Sequence, residues 1–491
     1  MQQGNKFVTF AQMKITFLTP PEINVQLNAA ERTAGCTRLV YDMPNIYVLT
    51  IAAIVEKMNV DVRYVDFVLN RKNFQDFETF AGQDKSHCYC FWSVNLSIET
   101  DLKALETIRK YNPNAYAFFM GPAPTYYTQK FLKNEKTFAL RGEAETTIKE
   151  LINAISNDLD YKGIRGISYL DSGKIVHNPP QPLLKNLDGL PFPARHFIEK
   201  YTFTNPKLKE SPYTTIVTSR NCPFHCIYCV PSSLTFAREM EYKKETGKKP
   251  PVSFRSVENV AEELALLHAK GYKAIGIMDD NFIVSAKRLR EIGAALKQYG
   301  FSWGCQARAD VITDEIAEIL QDTGCQYVDL GVESFNDEIL AYIKKGLTSA
   351  QIYAAIASLK KYKVPVKINV LIGTSPLETA ATIKDTLCKA KKLNVSQVMF
   401  NIVAPFPGTE FYEIAKANKW IVGGDYTPTD VQRNSILNYP NLSARQMERM
   451  LFWNNIQFFL RPRFIWHHIS RFHSFSDFKM ALKALKIKLF G

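Results

Sequence analysis

The stretch SRNCPFHCIYCVPSS, Ser219 to Ser233, holds three of the chain's nine cysteines. They stand as C-x3-C-x2-C: Cys222, Cys226 and Cys229. A disulfide consumes two thiols, and a structural zinc site closes with four ligands. Three thiols point to a metal centre whose last coordination position belongs to something other than protein. Zinc would need a fourth ligand. His225 lies inside the loop, but no second C-x2-C or H-x3-H pair follows. Soft sulfur donors also suit iron–sulfur centres, and three thiolates can hold three irons of a 4Fe–4S cluster while leaving the fourth open.

The loop follows a strand pattern, Thr214–Ser219, and from there strands and helices alternate. Further strands are expected at Ala274–Asp279, Phe301–Arg308, Tyr327–Glu333, Val366–Ile372 and Gln397–Ala404, with helices at Ser256–Lys270, Ser285–Tyr299, Asp314–Thr323, Ser349–Tyr362 and Leu377–Lys392. Six such units are two short of a full eight-fold barrel, and in these folds the chemistry sits on loops after strand C-termini. The cysteines occupy that position.

Upstream lies a second alternation. Strands are expected at Lys14–Thr19, Val60–Val68, His87–Val94, Ala115–Gly121 and Thr137–Gly142, with helices Ile46–Lys57, Glu99–Lys110 and Thr146–Ser156 between them. Five strands interleaved with helices fit a doubly wound domain with a ligand crevice at the strand C-termini. The proline-rich NPPQPLLKNLDGLPFPAR, Asn178–Arg195, reads as an extended connector. After Tyr412 the alternation stops. Ser443–Leu460 reads as a helix capped by Ser443, and Phe464–Phe490 as a basic, aromatic-rich helix. The expected fold class is therefore α/β: a doubly wound five-strand domain over residues 11–160, a linker over 161–209, a six-strand partial (β/α)6 barrel over 210–412 and a helical C-terminal extension over 413–491.

The totals narrow the function. At 491 residues the chain is too long for one core. Its longest early apolar run, Ile46 to Val55, is about half a membrane span. The start, MQQGNKFVTFAQMK, has no signal-peptide pattern. Dispersed, odd-numbered cysteines fit a reducing cytoplasm. Net charge is +13, and the tail from Arg461 to Gly491 carries seven Lys/Arg against Asp477 alone. A basic excess of this kind serves nucleic acid or an anionic membrane surface. No aromatic-lined RNA-binding motif accompanies it, so no nucleic-acid partner is expected.

C-x3-C-x-aromatic-C after a first barrel strand, with Tyr228 as the aromatic, resembles the signature of the radical SAM superfamily. That resemblance implies a 4Fe–4S cluster on Cys222, Cys226 and Cys229 and S-adenosylmethionine on the open iron. It places Asp279 and Asp280, followed by Asn281, against the methionine amino group. Arg308 would face the methionine carboxylate, and Glu333 and Ser334 the ribose hydroxyls. Gly373 ends the fifth strand in the superfamily's glycine-containing loop.

The N-terminal half resembles the cobalamin-binding domain of one radical SAM subgroup, which includes the anaerobic magnesium-protoporphyrin monomethyl ester cyclase and cobalamin-dependent methyltransferases. FWSVNLS, with Ser93 and Ser97, matches the loop that cradles the nucleotide tail. Gly121-Pro122 matches a Gly-Gly-Pro loop, and Arg141-Gly142-Glu143-Ala144-Glu145 matches Arg-Gly-Glu-x-Glu. The stretch after Leu18, TPPEINVQLNAAERTAG, has no histidine, so no protein imidazole is expected on cobalt. The resemblance implies radical functionalisation of an unactivated carbon in a small-molecule substrate, and a tail lying on a membrane suits an apolar or lipid-like one. C-methylation is the expected outcome, with oxidative cyclisation or ring rearrangement as the alternative. The resemblance further implies an external electron donor of flavodoxin or ferredoxin type. The cysteine pattern places the chain in the cytoplasm, and the basic, aromatic tail FFLRPRFIWHHISRFHSF suits either peripheral membrane contact or a helical cap on the barrel.

Overall fold

The computed structural model describes residues 13–23, 41–58 and 60–461. Most of the loop after the first strand, and the helix expected over 464–490, lie outside the described residues. The chain divides into two compact units. One runs through Pro223 and includes Val230–Cys305; the other comprises Phe224–Cys229 and Gln306 onward.

The first unit opens with five parallel strands: β1 (Lys14–Thr19), β2 (Asp61–Asp66), β3 (Cys88–Trp92), β4 (Tyr116–Met120) and β5 (Thr137–Leu140). All five match the expected positions. The central β3, CYCFW, is buried at every residue, as a strand covered on both faces must be. Its alternation feeds two cores. Cys88, Cys90 and Trp92 join the helices Ile46–Glu56 and Ala144–Ser156 on one side. Tyr89 and Phe91 join Phe74–Gln83 and Ile98–Tyr111 on the other.

The sheet extends beyond the five expected strands. β6 (Ile167–Asp171) and β7 (Lys174–His177) add an antiparallel hairpin, giving the order β2-β1-β3-β4-β5-β6-β7. The sequence reading places this segment in the linker. Its signal was local: ISYLD and KIVH flank Ser172-Gly173, whose φ values of +48° and +77° suit a tight hairpin turn.

The rest of this unit carries the parallel strands β8 (Tyr213–Ile216), β11 (Ala274–Ile277) and β12 (Ser302–Ala307), with β11 paired to both neighbours. Two short strands, β9 (Ser219–Arg220) and β10 (Ser253–Phe254), pair antiparallel beside them. A helix not expected from the sequence, Ser233–Thr246, follows the cysteine loop, capped by Ser232. The second unit carries the parallel strands β13 (Cys325–Glu333), β14 (Val366–Ile372) and β15 (Gln397–Ile402), each followed by helix. The expected C-terminal helix runs Ala444–Phe459, with Ser443 and Gln446 forming a capping box. It covers β15, where the Phe458 and Phe400 rings lie 5.7 Å apart edge to face.

Candidate active site

The cysteine loop is launched by a backbone reversal. Asn221, fully buried, adopts φ +72°, a region Asn tolerates better than most residues. Its side chain is held on both ends: Oδ1 accepts from Arg238, and Nδ2 donates to Glu239 at 3.0 Å. Further on, the Cys229 amide donates to the Cys226 carbonyl at 3.2 Å. Ile227 is tied at both backbone groups, donating to Ile343 O and accepting from Phe411 N. Cys222 and Cys226 are half-buried and Cys229 is exposed, whereas Cys88, Cys90, Cys305 and Cys325 are buried. The loop thiols are thus accessible where most other described thiols are packing groups. Among the described residues no three His, Cys, Asp or Glu side chains converge as ligands of one ion. A 4Fe–4S cube takes each thiolate on a separate iron, so its thiols need not converge. The donor set fits that cluster and not a closed zinc site.

In the first unit, the acids after β11 are already engaged. Asp279 accepts from the Thr218 amide and hydroxyl, both at 2.6 Å, and from the Ser219 hydroxyl at 2.7 Å. Asp280 accepts from the Ser232 amide at 2.6 Å. Burial raises the pKa of both, against the hydrogen bonds they receive. These acids brace the chain on either side of the cysteines. The open acceptor is their neighbour: Asn281 Oδ1 is buried with no donor. Tyr47 also meets this region. Its buried hydroxyl bonds the Ser232 side chain, and its pKa is raised first by burial and then by Asp280. The Tyr47 ring stacks on Trp92 at 5.8 Å, and Trp92 Nε1 donates to Ser233 Oγ at 3.0 Å.

In the second unit, Glu333 ends β13 at φ +63°, just past a register shift. Lys345 Nζ meets its carboxylate at 2.8 Å and donates to the Tyr228 hydroxyl at 3.2 Å. Both charges are buried. Burial would lower the Lys345 pKa, but Glu333 and then Cys226 more than offset it and raise it. The Tyr228 pKa is raised by burial and by Glu333. Lys345 was not expected from the sequence; nothing in YIKKG distinguishes it from Lys344, which is exposed and pairs with Glu410. Arg308 is buried and gripped by Asp310 at 3.0 and 2.9 Å. Ser334 bonds Thr386 and the Asn336 amide. Gly373, at φ +79°, is fastened by Glu378 at its amide and by the Tyr439 hydroxyl at its carbonyl.

The strand ends of the N-terminal sheet are similarly self-bonded. Ser93 and Ser97 both donate to Asp101. Gly121 has φ +98°, and a Cβ there would lie 2.8 Å from the Ser93 carbonyl oxygen. Pro122 opens a short helix. A Cβ on Gly142 would lie 3.2 Å from Glu241 Cβ. Glu143, expected to serve a cofactor, accepts instead from Arg220 at 2.7 Å and the Leu184 amide at 2.9 Å. Glu145 accepts from Arg220 as well, and Arg141 pairs with Glu241 at 2.8 Å. Burial would lower the Arg220 pKa, but Glu145 and Glu143 outweigh it and raise it. At the carboxyl edge of the five parallel strands Gly121 and Gly142 leave no room for a side chain, so a group bound there meets backbone.

Comparison with known proteins now decides the family. Residues 216–407 match the radical SAM superfamily. A protein of Pyrococcus horikoshii, "Uncharacterized methyltransferase PH0819", is 30% identical over 96% of this chain and 98% of its own. The chain belongs to the radical SAM superfamily. Other likenesses place this radical SAM enzyme more closely. The anaerobic magnesium-protoporphyrin IX monomethyl ester cyclase of Synechocystis is 24% identical over 73% of this chain and 69% of that protein. The structure of the methyltransferase TsrM from Kitasatospora setae, with cobalamin and a [4Fe-4S] cluster bound, superposes with a TM-score of 0.63 at 15% identity, covering 89% of this chain and 81% of that one. The shared fold extends over both the N-terminal sheet and the barrel strands. Among the described residues no helix is long and apolar enough to cross a membrane.

Proposed function

We propose that this radical SAM enzyme is a cobalamin-dependent C-methyltransferase acting on a small molecule. The observation that carries the reading is coextension: the chain aligns nearly end to end with a protein named a methyltransferase, and its cysteine trio stands on the loop after the first barrel strand. When bound, the cluster, S-adenosylmethionine and cobalamin supply a hydrogen-abstracting radical and a transferable methyl group. Cys222, Cys226 and Cys229 hold the cluster. Asn281 offers its unpaired acceptor to the methionine ammonium. Glu333, fixed by Lys345, takes the ribose hydroxyls, and Tyr228 closes over that pair. Asp279 and Asp280 keep the cysteine loop in place. Cobalamin would be held at the carboxyl edge of the N-terminal sheet by Ser93–Ser97, Gly121-Pro122 and Gly142. A flavodoxin- or ferredoxin-type donor in the cytoplasm supplies the electron.

The substrate is apolar and presented at a membrane surface. Support comes from the exposed Phe452, Trp453 and Leu460 on the last helix, directly ahead of the basic run that begins at Arg461. The experiment is anaerobic turnover of protein loaded with iron, sulfide and cobalamin, using S-adenosylmethionine with a labelled methyl group. A methyltransferase forms S-adenosylhomocysteine and 5′-deoxyadenosine in about equal amounts, one for each role, and labels its product. The likeness to the cyclase supports a second reading, in which 5′-deoxyadenosine forms without matching S-adenosylhomocysteine.

A further inference from the structure

Arg308 directly follows β12, where a carboxylate-binding role is expected, yet its guanidinium points to a different partner. Nε donates to Asp310 Oδ1 at 3.0 Å, and Nη2 donates to Asp310 Oδ2 at 2.9 Å and to the Lys345 carbonyl at 2.7 Å. Three of the five N–H groups are thereby committed, including the Nε and Nη2 prongs that grip a carboxylate two-handed. Nη1 is left, and it lies 3.8 Å from Cys226 Sγ. The guanidinium plane is fixed by the Phe224 ring, whose centroid is 3.5 Å from Arg308 Cζ. Phe224 stands two residues before Cys226, so the loop that carries the thiol also carries the platform orienting its donor.

We propose that Arg308 is a positioning residue for the metal centre: it donates a charge-assisted hydrogen bond to the Cys226 thiolate and raises the reduction potential of the cluster. A cluster gains negative charge on reduction, and hydrogen bonds and positive charge at its sulfurs favour the reduced form. Asp310 moderates the effect by neutralising the far side of the guanidinium. The inference rests on the cluster assignment above, but not on cobalamin or on methyl transfer.

The test is a potentiometric titration of the anaerobically reconstituted full-length protein, followed by electron paramagnetic resonance of the reduced cluster. R308Q is expected to shift the midpoint to a more negative value at unchanged iron and sulfide content. D310N leaves the Arg308 charge unopposed and is expected to shift it the other way. R308K, which keeps the charge without the fork, should fall between R308Q and the wild type. S-adenosylmethionine affinity in R308Q should change less than about threefold. Midpoints that coincide in R308Q and D310N overturn the proposal. So does a tenfold loss of S-adenosylmethionine affinity in R308Q with no potential shift, which would make Arg308 a carboxylate ligand. If R308Q does not fold, D310N alone decides by the sign of its shift. A wild-type protein that assembles no cluster would instead overturn the reading on which this rests.

Discussion

Buried charge is concentrated in two places, and they are built differently. In the first unit, Arg141, Glu143, Glu145, Arg220, Arg238 and Glu241 make a set in which cations and carboxylates answer one another. It joins the strand-end motif after β5 to β9 and to the helix after the cysteines. In the second unit, Lys345 and Arg308 also meet carboxylates, Glu333 and Asp310, but each has one further group turned elsewhere: to the Tyr228 hydroxyl and to the Cys226 sulfur. Glu333 additionally sits in a left-handed backbone region that a β-strand residue does not choose without compensation. The first set is a clamp whose remaining donors go to structural groups, Arg141 to the Ile167 and Asn178 carbonyls and Arg238 to Asn221 and Ser253. The second has valences directed at the groups a cofactor would touch. Burial and pairing alone do not mark a functional site; a buried charge whose further donor is turned to a reactive side chain does.

The sharpest way to break this contrast is at the thiols. Replacing Cys222, Cys226 and Cys229 with Ala is expected to abolish a centre of about four irons and four sulfides per chain. Iron and sulfide analysis after anaerobic reconstitution checks it. Cys88→Ser or Cys305→Ser changes only a packed core position and should leave iron content per folded chain intact. Retention of the centre in the triple variant would remove the site from this loop.

The clamp should respond in stability and not in iron. Arg220→Met strips two buried carboxylates of their partner. Breaking one side of a buried pair costs about 3–5 kcal/mol, because the remaining charge is left uncompensated. A large fall in thermal midpoint, with unchanged iron per folded chain, is expected. A midpoint close to wild type would mean that Glu143 and Glu145 find other partners or solvent.

The cofactor face should respond in affinity. Glu333→Gln and Lys345→Met each remove a charge from the pair, and each is expected to weaken S-adenosylmethionine binding by roughly 1.5–3 kcal/mol, about ten- to a hundred-fold. Equilibrium binding to the reconstituted protein measures this. Equal losses in the two variants would show that Lys345 acts through Glu333. An unaffected Lys345→Met would show that Glu333 holds its strained backbone unaided.

The strands and helices that position the loops were legible because the alternation is regular and the buried strands are unusually apolar, as in CYCFW and YAFFM. The cysteine trio was legible because three thiols at that spacing have few structural uses. What escaped is informative. The β6–β7 hairpin was hidden by the prolines after it, which made the segment look like linker. Glu143 and Glu145 matched a cofactor-loop motif, yet their carboxylates meet Arg220 and, for Glu143, Arg238; sequence shows that a charge is present but not whether it has been answered. Lys345 was invisible for the same reason. A lysine among lysines differs from its neighbour only in what surrounds it in space.

The smallest expected effect probes the edge of the clamp. His177 ends β7, and its Nδ1 lies 2.8 Å from the Ser168 hydroxyl, which also receives Arg141 Nη1. Burial lowers the His177 pKa, and the positive charges of Arg141 and Lys244 lower it further. The folded chain therefore binds a proton here less readily than the unfolded chain. Stability then rises with pH across the window between the lowered value and about 6.5, and is lost as pH falls through that window. His177 is exposed, so solvent screening limits the contribution to a few tenths of a kcal/mol at most. His177→Gln keeps a hydrogen-bonding side chain without the titration. Denaturant unfolding at pH 7.5 and pH 5.5 should show a slightly smaller difference between the two pH values in the variant than in wild type. A larger difference in the variant would mean that the imidazolium is welcomed in the fold, and that the Arg141 charge is more completely neutralised by Glu241 than the His177 shift implies.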